Sequence, residues 1–397
     1  MKKLITILVV VLSLSSFSKP CLAACPTADL NGDCFVGFAD LATFATQWLN
    51  DCNSPDWCNQ ADMNHVGSVS FNDFAVLAGQ WLTGLQLPSD MVFIHGGTFQ
   101  MGDNLDGATD APVHTVTVNS FSMGKYHVTN GQYCAFLNSA YPSQLKVVSG
   151  VVYAVSDTDG YFPYCSTSSA QDGWPSYGSY SQIDFSGSTF TVRTKGGRSM
   201  ANDPMVMETW YGAVAYCNWR SQQEGYQTCY NDFATWNCDF SKHGYRLATE
   251  AEWEYAARGG LAGARFPWGD TISRSNANYQ SNPSFSYDFG GPPWGFDPFW
   301  SSDGIAPSTC PVGSYAANGY GLYDMVGNAW QWCNDWYGPY NAGSQTDPTG
   351  PASGSYRVMR GGGWDNDVGY CRVAGREYGN PDSRYLCKGF RVVLDLD

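Results

Sequence analysis

Two acidic stretches near the start of the chain carry side chains that could bind a hard cation. In the first, oxygen-bearing residues stand at positions one, three, five and twelve of a loop: Asp29, Asn31, Asp33 and Asp40. In the second, Asp62, Asn64 and Asp73 stand at positions one, three and twelve, and Val66 replaces the fourth ligand. Carboxylate and amide oxygens at this spacing suit Ca²⁺. We therefore expect calcium in the first loop and weaker binding in the second.

Each loop is followed by apolar residues at helical spacing, which predicts one amphipathic helix per loop. The two stripes are Leu41, Phe44, Ala45, Trp48 and Leu49, and Phe74, Leu77, Ala78, Trp81 and Leu82. Facing stripes would bury a small all-α core. This tandem duplication, residues 25–83, resembles a dockerin, a cell-surface and complex-assembly module of two calcium loop–helix units. The resemblance implies a cohesin-like partner; the alternative is a decayed spacer without one.

Four motifs follow in a fixed order along the rest of the chain. They are MVFIHGGTFQMGDN from Met91, GYRLATEAEWEYAARGG from Gly244, GYGLYDMVGNAWQWCNDW from Gly319, and a glycine- and arginine-rich stretch from Arg357 to Val392. Together they resemble the sulfatase-modifying-factor family, whose best-known member is the formylglycine-generating enzyme. The resemblance implies a complex variant of the C-type lectin fold, whereas periodicity alone gives only an α+β domain.

That enzyme oxidises a sulfatase cysteine to an aldehyde with O₂ and a Cu(I) ion held by two thiolates. Counting from Gly361 to Trp364, the second thiolate position falls on Cys371 and the first on Asn366. Asparagine is a poor ligand for soft Cu(I). We therefore predict a non-catalytic member that binds a peptide or a glycan.

The alternative is a formylglycine-generating oxidase that uses copper and takes its second thiolate from Cys333 or Cys387. Cys371 itself has two further interpretations that involve no chemistry. It could pair with Cys387 in a disulfide, since a loop signal lies between them, or be an inert buried thiol.

The family resemblance also implies two calcium sites in the large domain. One set of ligands is Asn278, Tyr279, Asp303 and Ile305, and the other is Asp324, Gly327, Ala329 and Gln331. Catalytic members place glutamate where this chain has Gln331, so the second site is expected to be weaker. The alternative is that these residues form turns held by ordinary Asx hydrogen bonds.

Several elements are predicted to position these residues. The sequence HTVTVNSFSMG from His114 alternates between apolar and polar residues, which predicts a strand. Residues from Glu208 to Gln222 are predicted to form a helix with Ala213, Tyr216 and Cys217 on one face. A second helix is predicted from Thr249 to Arg258, because it begins with a Thr-x-x-Glu capping box. Arginines near glycine-rich backbone are expected to form buried forks onto carboxylates or carbonyls: Arg246, Arg258, Arg357, Arg360, Arg372, Arg376 and Arg391. Four tryptophans either line a ligand groove or belong to the core: Trp330, Trp332, Trp336 and Trp364.

The composition and the first residues narrow the class of protein. With 43% hydrophobic and 14% charged residues, the chain is globular. A net charge of −15 argues against a nucleic-acid partner. A basic start and an apolar run predict a signal peptide over residues 1–24, hence a secreted, cell-surface or periplasmic protein, with lipidation at Cys25 as an alternative. No other apolar run is long enough for a membrane span.

The domain plan is therefore a signal peptide, the module at 25–83, a linker at 84–89 and the large domain at 90–397. In an exported chain, cysteines are usually paired. Closeness in sequence favours disulfides between Cys52 and Cys58 and between Cys229 and Cys238. Loss of Cys21 with the signal peptide leaves an odd number of the fourteen cysteines, and so at least one free thiol.

Overall fold

The computed structural model describes residues 27–30, 36, 38–47, 58, 60–65, 67–80, 87–105, 112–170, 180–231, 235–302 and 306–395. The chain divides into two compact units between Gln86 and Leu87, within the predicted linker. The predicted signal peptide and Cys25 lie outside the described residues. Within those residues, no helix has the length and apolar character needed to cross a bilayer.

The smaller unit contains the two predicted helices, α1 (Phe38–Thr46) and α2 (Phe71–Gly79). Phe44 and Leu77 are buried together with Ala28, Val36, Ala61 and Val69, and the rings of Phe44 and Phe74 lie 6.0 Å apart. Phe44 and Leu77 of the predicted stripes therefore lie in a small core, whereas Ala45, Phe74 and Ala78 are exposed. Trp48, Leu49, Trp81 and Leu82 lie outside the described residues.

The larger unit mixes short strands with a few helices. In chain order its elements are β1 (Met91–Ile94), β2 (Gly97–Met101), β3 (His114–Val118), β4 (Phe121–Gly124), α3 (Asn130–Ala140), β5 (Leu145–Val148), β6 (Val151–Ala154), β7 (Pro163–Ser166), β8 (Ile183–Ser186), β9 (Thr189–Val192), β10 (Thr194–Lys195), β11 (Arg198–Ser199), α4 (Trp210–Glu224), β12 (Tyr245–Leu247), α5 (Glu250–Arg258), α6 (Pro298–Ser301), β13 (Trp330–Trp336), β14 (Gln345–Thr346), β15 (Arg357–Arg360), β16 (Arg376–Gly379), β17 (Lys388–Gly389) and β18 (Val392–Leu394).

Two four-stranded sheets organise this unit. In the first, the order β1-β4-β18-β12 places the last strand between strands from much earlier in the chain. In the second, the order is β16-β15-β13-β17, with β13 antiparallel to β15 and parallel to β17. The remaining strands form two three-stranded sheets, β14-β3-β2 and β5-β6-β7, and the hairpins β8-β9 and β10-β11.

The helices and strands predicted from local sequence are observed as the same type of element, but some of them begin or end at other residues. α5 begins after the Thr249–Glu252 capping box, as predicted. α4 begins at Trp210 instead of Glu208, because Thr209 is its N-cap, and it ends at Gly225 in the left-handed region. The stretch from His114 forms two strands, β3 and β4, instead of one. α3 was not predicted, although Thr129 and Gln132 form its capping box.

Candidate functional site

A tight glycine turn follows β15 and leads to Asn366 and Cys371, the two positions where the family resemblance implies copper-binding thiolates. Gly361 and Gly362 have φ values of +95° and +73°, a region that side chains rarely adopt. A methyl group built on Gly361 would lie 2.7 Å from the carbonyl oxygen of Met325. The turn therefore depends on glycine both for its backbone conformation and for close packing.

Asn366 closes this glycine turn. Its Oδ1 accepts a hydrogen bond from the backbone N–H of Gly363 at 3.0 Å, and its own N–H donates to the Gly363 carbonyl at 3.1 Å. The Asn366 carbonyl in turn accepts from the N–H of Gln280 at 2.9 Å. The residue at the first thiolate position is thus a structural part of the turn.

Cys371 ends a short 3-10 turn, Val368–Cys371, whose N-cap is Asp367. Its side chain is fully buried. Burial, followed by the nearby charge of Asp367, raises the pKa of the Cys371 thiol well above its usual range. Since the thiolate is the form that binds metals and attacks as a nucleophile, this environment favours an inert thiol.

Cys387 also borders this turn, next to Gly363. A methyl group on Gly362 would lie 2.8 Å from Sγ of Cys371, and one on Gly363 would lie 2.9 Å from Cβ of Cys387. Burial, then the Asp365 carboxylate, raises the pKa of the Cys387 thiol. Both thiols are free, so the disulfide between Cys371 and Cys387 is wrong here.

The other predicted pairings have different outcomes. Cys229 and Cys238 are also free; the Cys229 thiol lies 3.6 Å from the Lys242 carbonyl, so closeness in sequence did not bring the two sulfurs into a bond. Cys58 is disulfide-bonded, while Cys52 lies outside the described residues. Cys333, the other candidate thiolate, is buried on β13 with its sulfur directed at the Gln331 carbonyl at 3.9 Å.

The tryptophans that could form a ligand groove are mostly core residues. Trp330, Trp332 and Trp364 are buried, and Trp364 packs against Phe296 at a centroid distance of 5.2 Å. Trp336 is partly buried and covers the Arg357 guanidinium. A groove formed by all four tryptophans together is therefore excluded.

The first calcium set is only partly described, because Asp303 and Ile305 lie outside the described residues. Asn278 is buried and donates from Nδ2 to the Ser308 carbonyl at 2.8 Å. Tyr279 is buried and donates from its hydroxyl to Asp288 at 2.5 Å. Both residues are thus held by side-chain hydrogen bonds within the described part of the chain.

In the second calcium set, Asp324 has an orphaned oxygen. Its Oδ2 accepts from the N–H of Gly313 at 2.7 Å, whereas Oδ1 is buried with no hydrogen-bond partner in the described part of the chain. Burial raises the pKa of Asp324 to about 6. A cation at Oδ1 would relieve this cost, so Asp324 fits a calcium ligand.

The other members of that set already have partners. Oε1 of Gln331 accepts from Nε1 of Trp253 at 2.7 Å and from Nε of Arg391 at 2.6 Å. The Ala329 carbonyl accepts from Nε2 of His127 at 2.9 Å, and the Gly327 carbonyl from the N–H of Ala329 at 2.9 Å. The donor set therefore fits a calcium ion only in part.

The predicted arginine forks are confirmed, and they connect distant parts of the chain. Glu254 on α5 is fully buried between Arg258 and Arg360. Arg372 donates to both oxygens of Asp103, 269 residues away, at 3.0 Å. The other forks pair Arg246 with Glu252 and Arg376 with Glu250, while Arg357 and Arg391 donate to carbonyls. These contacts position the glycine turn against α5.

In the smaller unit, the last acid of each loop returns to its start. Asp40 accepts from the N–H of Leu30 at 2.6 Å, and Asp73 from the N–H of Asn64 at 3.1 Å. Asp62 accepts from the N–H of Gly67 at 2.8 Å. These acids and Asp29 are buried, whereas Asn31 and Asp33 lie outside the described residues. Asp40 and Asp73 thus hydrogen-bond to backbone close to the first acid of their own loops, and calcium binding by these loops stays a prediction.

Sequence reasoning missed one group of buried polar residues, which surrounds a cavity at the far end of β13. Asp335, Glu250 and His114 line it. A carboxylate in the aromatic strand WQWCNDW is the signal that could have identified Asp335, because acids are rarely buried without a partner.

Comparison with known proteins agrees with this architecture. Residues 83–396 match the family model of the sulfatase-modifying factor enzyme 1-like domain. The formylglycine-generating enzyme of Streptomyces coelicolor is 35% identical over 332 residues, which is 77% of this chain and 89% of that enzyme. The serine/threonine-protein kinase pkn1 of Chlamydia caviae is 34% identical over 309 residues, 77% of this chain but 38% of the kinase. In fold, Treponema denticola variable protein 1 superposes with a TM-score of 0.52 and 25% identity, over 77% of this chain and 94% of that protein.

Proposed function

Since the chain belongs to the sulfatase-modifying factor family, we propose that it is a non-catalytic member whose large domain binds a peptide or glycan. One observation carries the proposal. Asn366 occupies the first thiolate position, and its Oδ1 is engaged by the N–H of Gly363. An amide oxygen held in a turn and a single buried thiol do not make a two-coordinate site for Cu(I). We therefore derive no copper chemistry from this site.

Related domains occur in proteins with different activities. The relatives include formylglycine-generating enzymes and a protein named as a serine/threonine kinase, of which this domain covers only 38%. Family membership alone therefore does not assign an oxidase activity. A binding role, with a peptide, a glycan or a sulfatase segment as ligand, needs only the fold.

The smaller unit is proposed to be a dockerin-like tether. Its two loops would bind calcium through the buried acids Asp29, Asp40, Asp62 and Asp73, and its helices would present residues 25–83 to a cohesin-like protein. Calcium in the large domain, at Asn278 and Asp324 and their neighbours, would stabilise its loops. This plan requires export, which the predicted signal peptide would provide.

A second function, formylglycine-generating oxidase, is favoured by one specific observation. Cys371 and Cys387 border adjacent glycines of the same turn. Cys387 is therefore a better candidate for the second thiolate than Cys333, which lies on β13. A shift of the turn would be needed for both thiols to face one copper ion.

The two functions are separated by incubating the reduced protein with copper, O₂ and a Cys-x-Pro-x-Arg peptide. We expect no aldehyde on the peptide by mass spectrometry. An aldehyde that disappears in both Cys371→Ser and Cys387→Ser would establish the oxidase instead. Cys134→Ser is the matched control, because Cys134 is a buried free thiol on α3.

A further inference from the structure

A cavity of about 550 Å³ lies at the carboxyl end of β13, within the size range of small-molecule sites. His114, Glu250, Asp335, Trp336 and Tyr340 contribute to its wall; we refer to it as the β13 cavity. The described residues that line it include none from the glycine turn, nor Cys371 or Cys387. The β13 cavity is therefore separate from the glycine turn and its two cysteines.

The β13 cavity contains two buried carboxylates with different electrostatic surroundings. Both oxygens of Glu250 accept from Arg376, at 2.6 and 2.8 Å, and Oε1 also accepts from the Tyr340 hydroxyl at 3.1 Å. Arg376 therefore neutralises the charge of Glu250. Asp335 has no comparable ion pair with any residue the structure describes.

Asp335 is only 3% exposed. Its Oδ2 accepts from the N–H of Glu250 at the start of α5, at 2.9 Å. Its Oδ1 accepts no hydrogen bond from the described residues. Arg357 does not serve as its partner, because that guanidinium donates to the Asn334 carbonyl and lies 3.7 and 3.5 Å from the Trp210 and Trp336 rings. A buried carboxylate normally has a cation or several hydrogen-bond donors as partners. We therefore expect a ligand to supply a donor or a positive charge at Oδ1 of Asp335.

His114 supplies a second unpaired atom. The residue is 3% exposed, and its Nδ1 lies 3.0 Å from the Pro112 carbonyl oxygen. Since a carbonyl only accepts, Nδ1 carries a proton, and in the tautomer with one ring proton Nε2 is an acceptor. Nε2 forms no hydrogen bond in the described part of the chain. The ring packs on Tyr340 at 4.8 Å.

We propose that the β13 cavity binds an organic cation, a primary ammonium or guanidinium group, with Asp335 as its counter-ion. The two unpaired atoms that these buried residues offer, Oδ1 of the Asp335 carboxylate and Nε2 of His114, are both acceptors, so the complementary ligand must offer donors. Ammonium and guanidinium groups offer several donors and a positive charge. Trp336 and Tyr340 add aromatic walls against which an alkyl chain can pack.

A divalent metal ion fits the β13 cavity less well. Only one carboxylate oxygen is available, since Arg376 occupies both oxygens of Glu250, and hard cations require about six oxygen ligands. The described residues contain no group of three or more His, Cys, Asp or Glu side chains arranged for a metal. An organic cation requires only one counter-ion.

The protonation state of Asp335 gives the proposal a thermodynamic signature. Burial, and then the charge of Glu250, raises the pKa of Asp335 well above its usual range. Protonation of Asp335 and binding of a cation would therefore compete for the same carboxylate. Cation binding should release protons and strengthen as the pH rises.

The test is isothermal titration of the full chain with butylammonium, butylguanidinium and butanol near neutral pH. The two cations should bind and the neutral alcohol should not, and Asp335→Asn should weaken cation binding roughly tenfold or more. Asparagine keeps an oxygen to accept from the N–H of Glu250. Asp184→Asn is the matched control, because Asp184 is a half-buried acid on β8 that does not line the cavity. Equal binding of butanol, or unchanged binding by Asp335→Asn, would overturn the proposal.

If Asp335→Asn does not fold, the wild-type chain still decides the question. Titrations of butylammonium in buffers of different ionisation heat should reveal proton release, and an uptake or no change would contradict the role of Asp335. A lysine-containing tripeptide compared with butylammonium distinguishes a peptide side chain from a free amine as the source of the cation. Calcium chloride that abolishes butylammonium binding by occupying the cavity would replace the organic cation with a metal and refute the proposal.

Discussion

Oδ1 of Asn366 accepts a hydrogen bond from the N–H of Gly363 at 3.0 Å, at the position where a copper-binding relative of this family is expected to carry a thiolate. The amide completes a turn that no cysteine side chain could close in the same way, because sulfur is a weak acceptor. The turn thus holds a structural contact at the position where the family resemblance implies a ligand.

Calcium should raise the melting temperature of the whole chain, because a ligand that binds only the folded state stabilises it. At saturating calcium we expect a shift of roughly 5 °C relative to chelator. Asp29→Ala should remove the smaller unit's share and Asp324→Asn the larger unit's share, measured by scanning calorimetry. Identical shifts of the melting temperature in wild type and both variants would show that Asp29 and Asp324 are not calcium ligands.

Glu254→Gln should destabilise the larger unit by about 3–5 kcal/mol, because it removes the buried carboxylate that Arg258 and Arg360 share and leaves Arg360 only the longer contact with Glu250, at 3.4 Å. Urea unfolding measures this loss. Asp184→Asn is the control, since its pair with Arg193 spans 3.7 Å at the surface and should contribute less than about 1 kcal/mol. A similar loss of unfolding free energy in both variants would mean that the buried fork stabilises the unit no more than a surface ion pair does.

The same carboxylate predicts a pH dependence. Burial alone would raise the pKa of Glu254, but the charges of Arg258 and Arg360 outweigh it and leave the pKa lowered. A depressed carboxyl pKa contributes stability that is present above the unfolded value of about 4.3 and is lost as the pH falls through the folded value. Wild type should therefore lose stability in acid more steeply than Glu254→Gln. Parallel acid profiles would contradict this.

The free thiols predict a specific alkylation pattern. Cys371, Cys387, Cys229 and Cys217 are buried and unpaired, so iodoacetamide should spare them in the folded protein and modify them after unfolding without reductant. Peptide mapping by mass spectrometry records the sites. A disulfide-linked peptide joining Cys229 to Cys238, or Cys371 to Cys387, would show that the pairing expected from sequence forms after all.

Local features were predictable from the sequence, whereas contacts between distant residues were not. The Thr249–Glu252 box and the buried face of Ala213, Tyr216 and Cys217 depend on neighbours three or four residues away, and both are observed. Helix α3 was not predicted from the sequence because Asn130 and Gly131 at its start are weak helix formers, although Thr129 is its N-cap. The fork between Arg372 and Asp103 spans 269 residues, and nothing local marks it.

In the candidate site, too, positions could be predicted from local sequence, whereas contacts could not. The landmark from Gly361 to Trp364 located Asn366 and Cys371, but spacing could not show that Asn366 closes the turn or that Cys387 borders it. The tryptophans could not be divided between core and surface, since Trp332 and Trp336 stand on one strand and differ only in what packs on them. Asp335 was overlooked because its isolation depends on where Arg376 and Arg357 point.

The most direct test of the central claim is the affinity of the reduced protein for Cu(I), measured by competition with a chromophoric chelator. We predict weak binding by wild type that Cys371→Ser and Cys387→Ser do not change, and binding tighter by orders of magnitude in Asn366→Cys, where a second soft thiolate is restored. Tight Cu(I) binding by wild type that is lost in Cys371→Ser would contradict the account, because the chain would then hold a complete copper site without a thiolate at position 366.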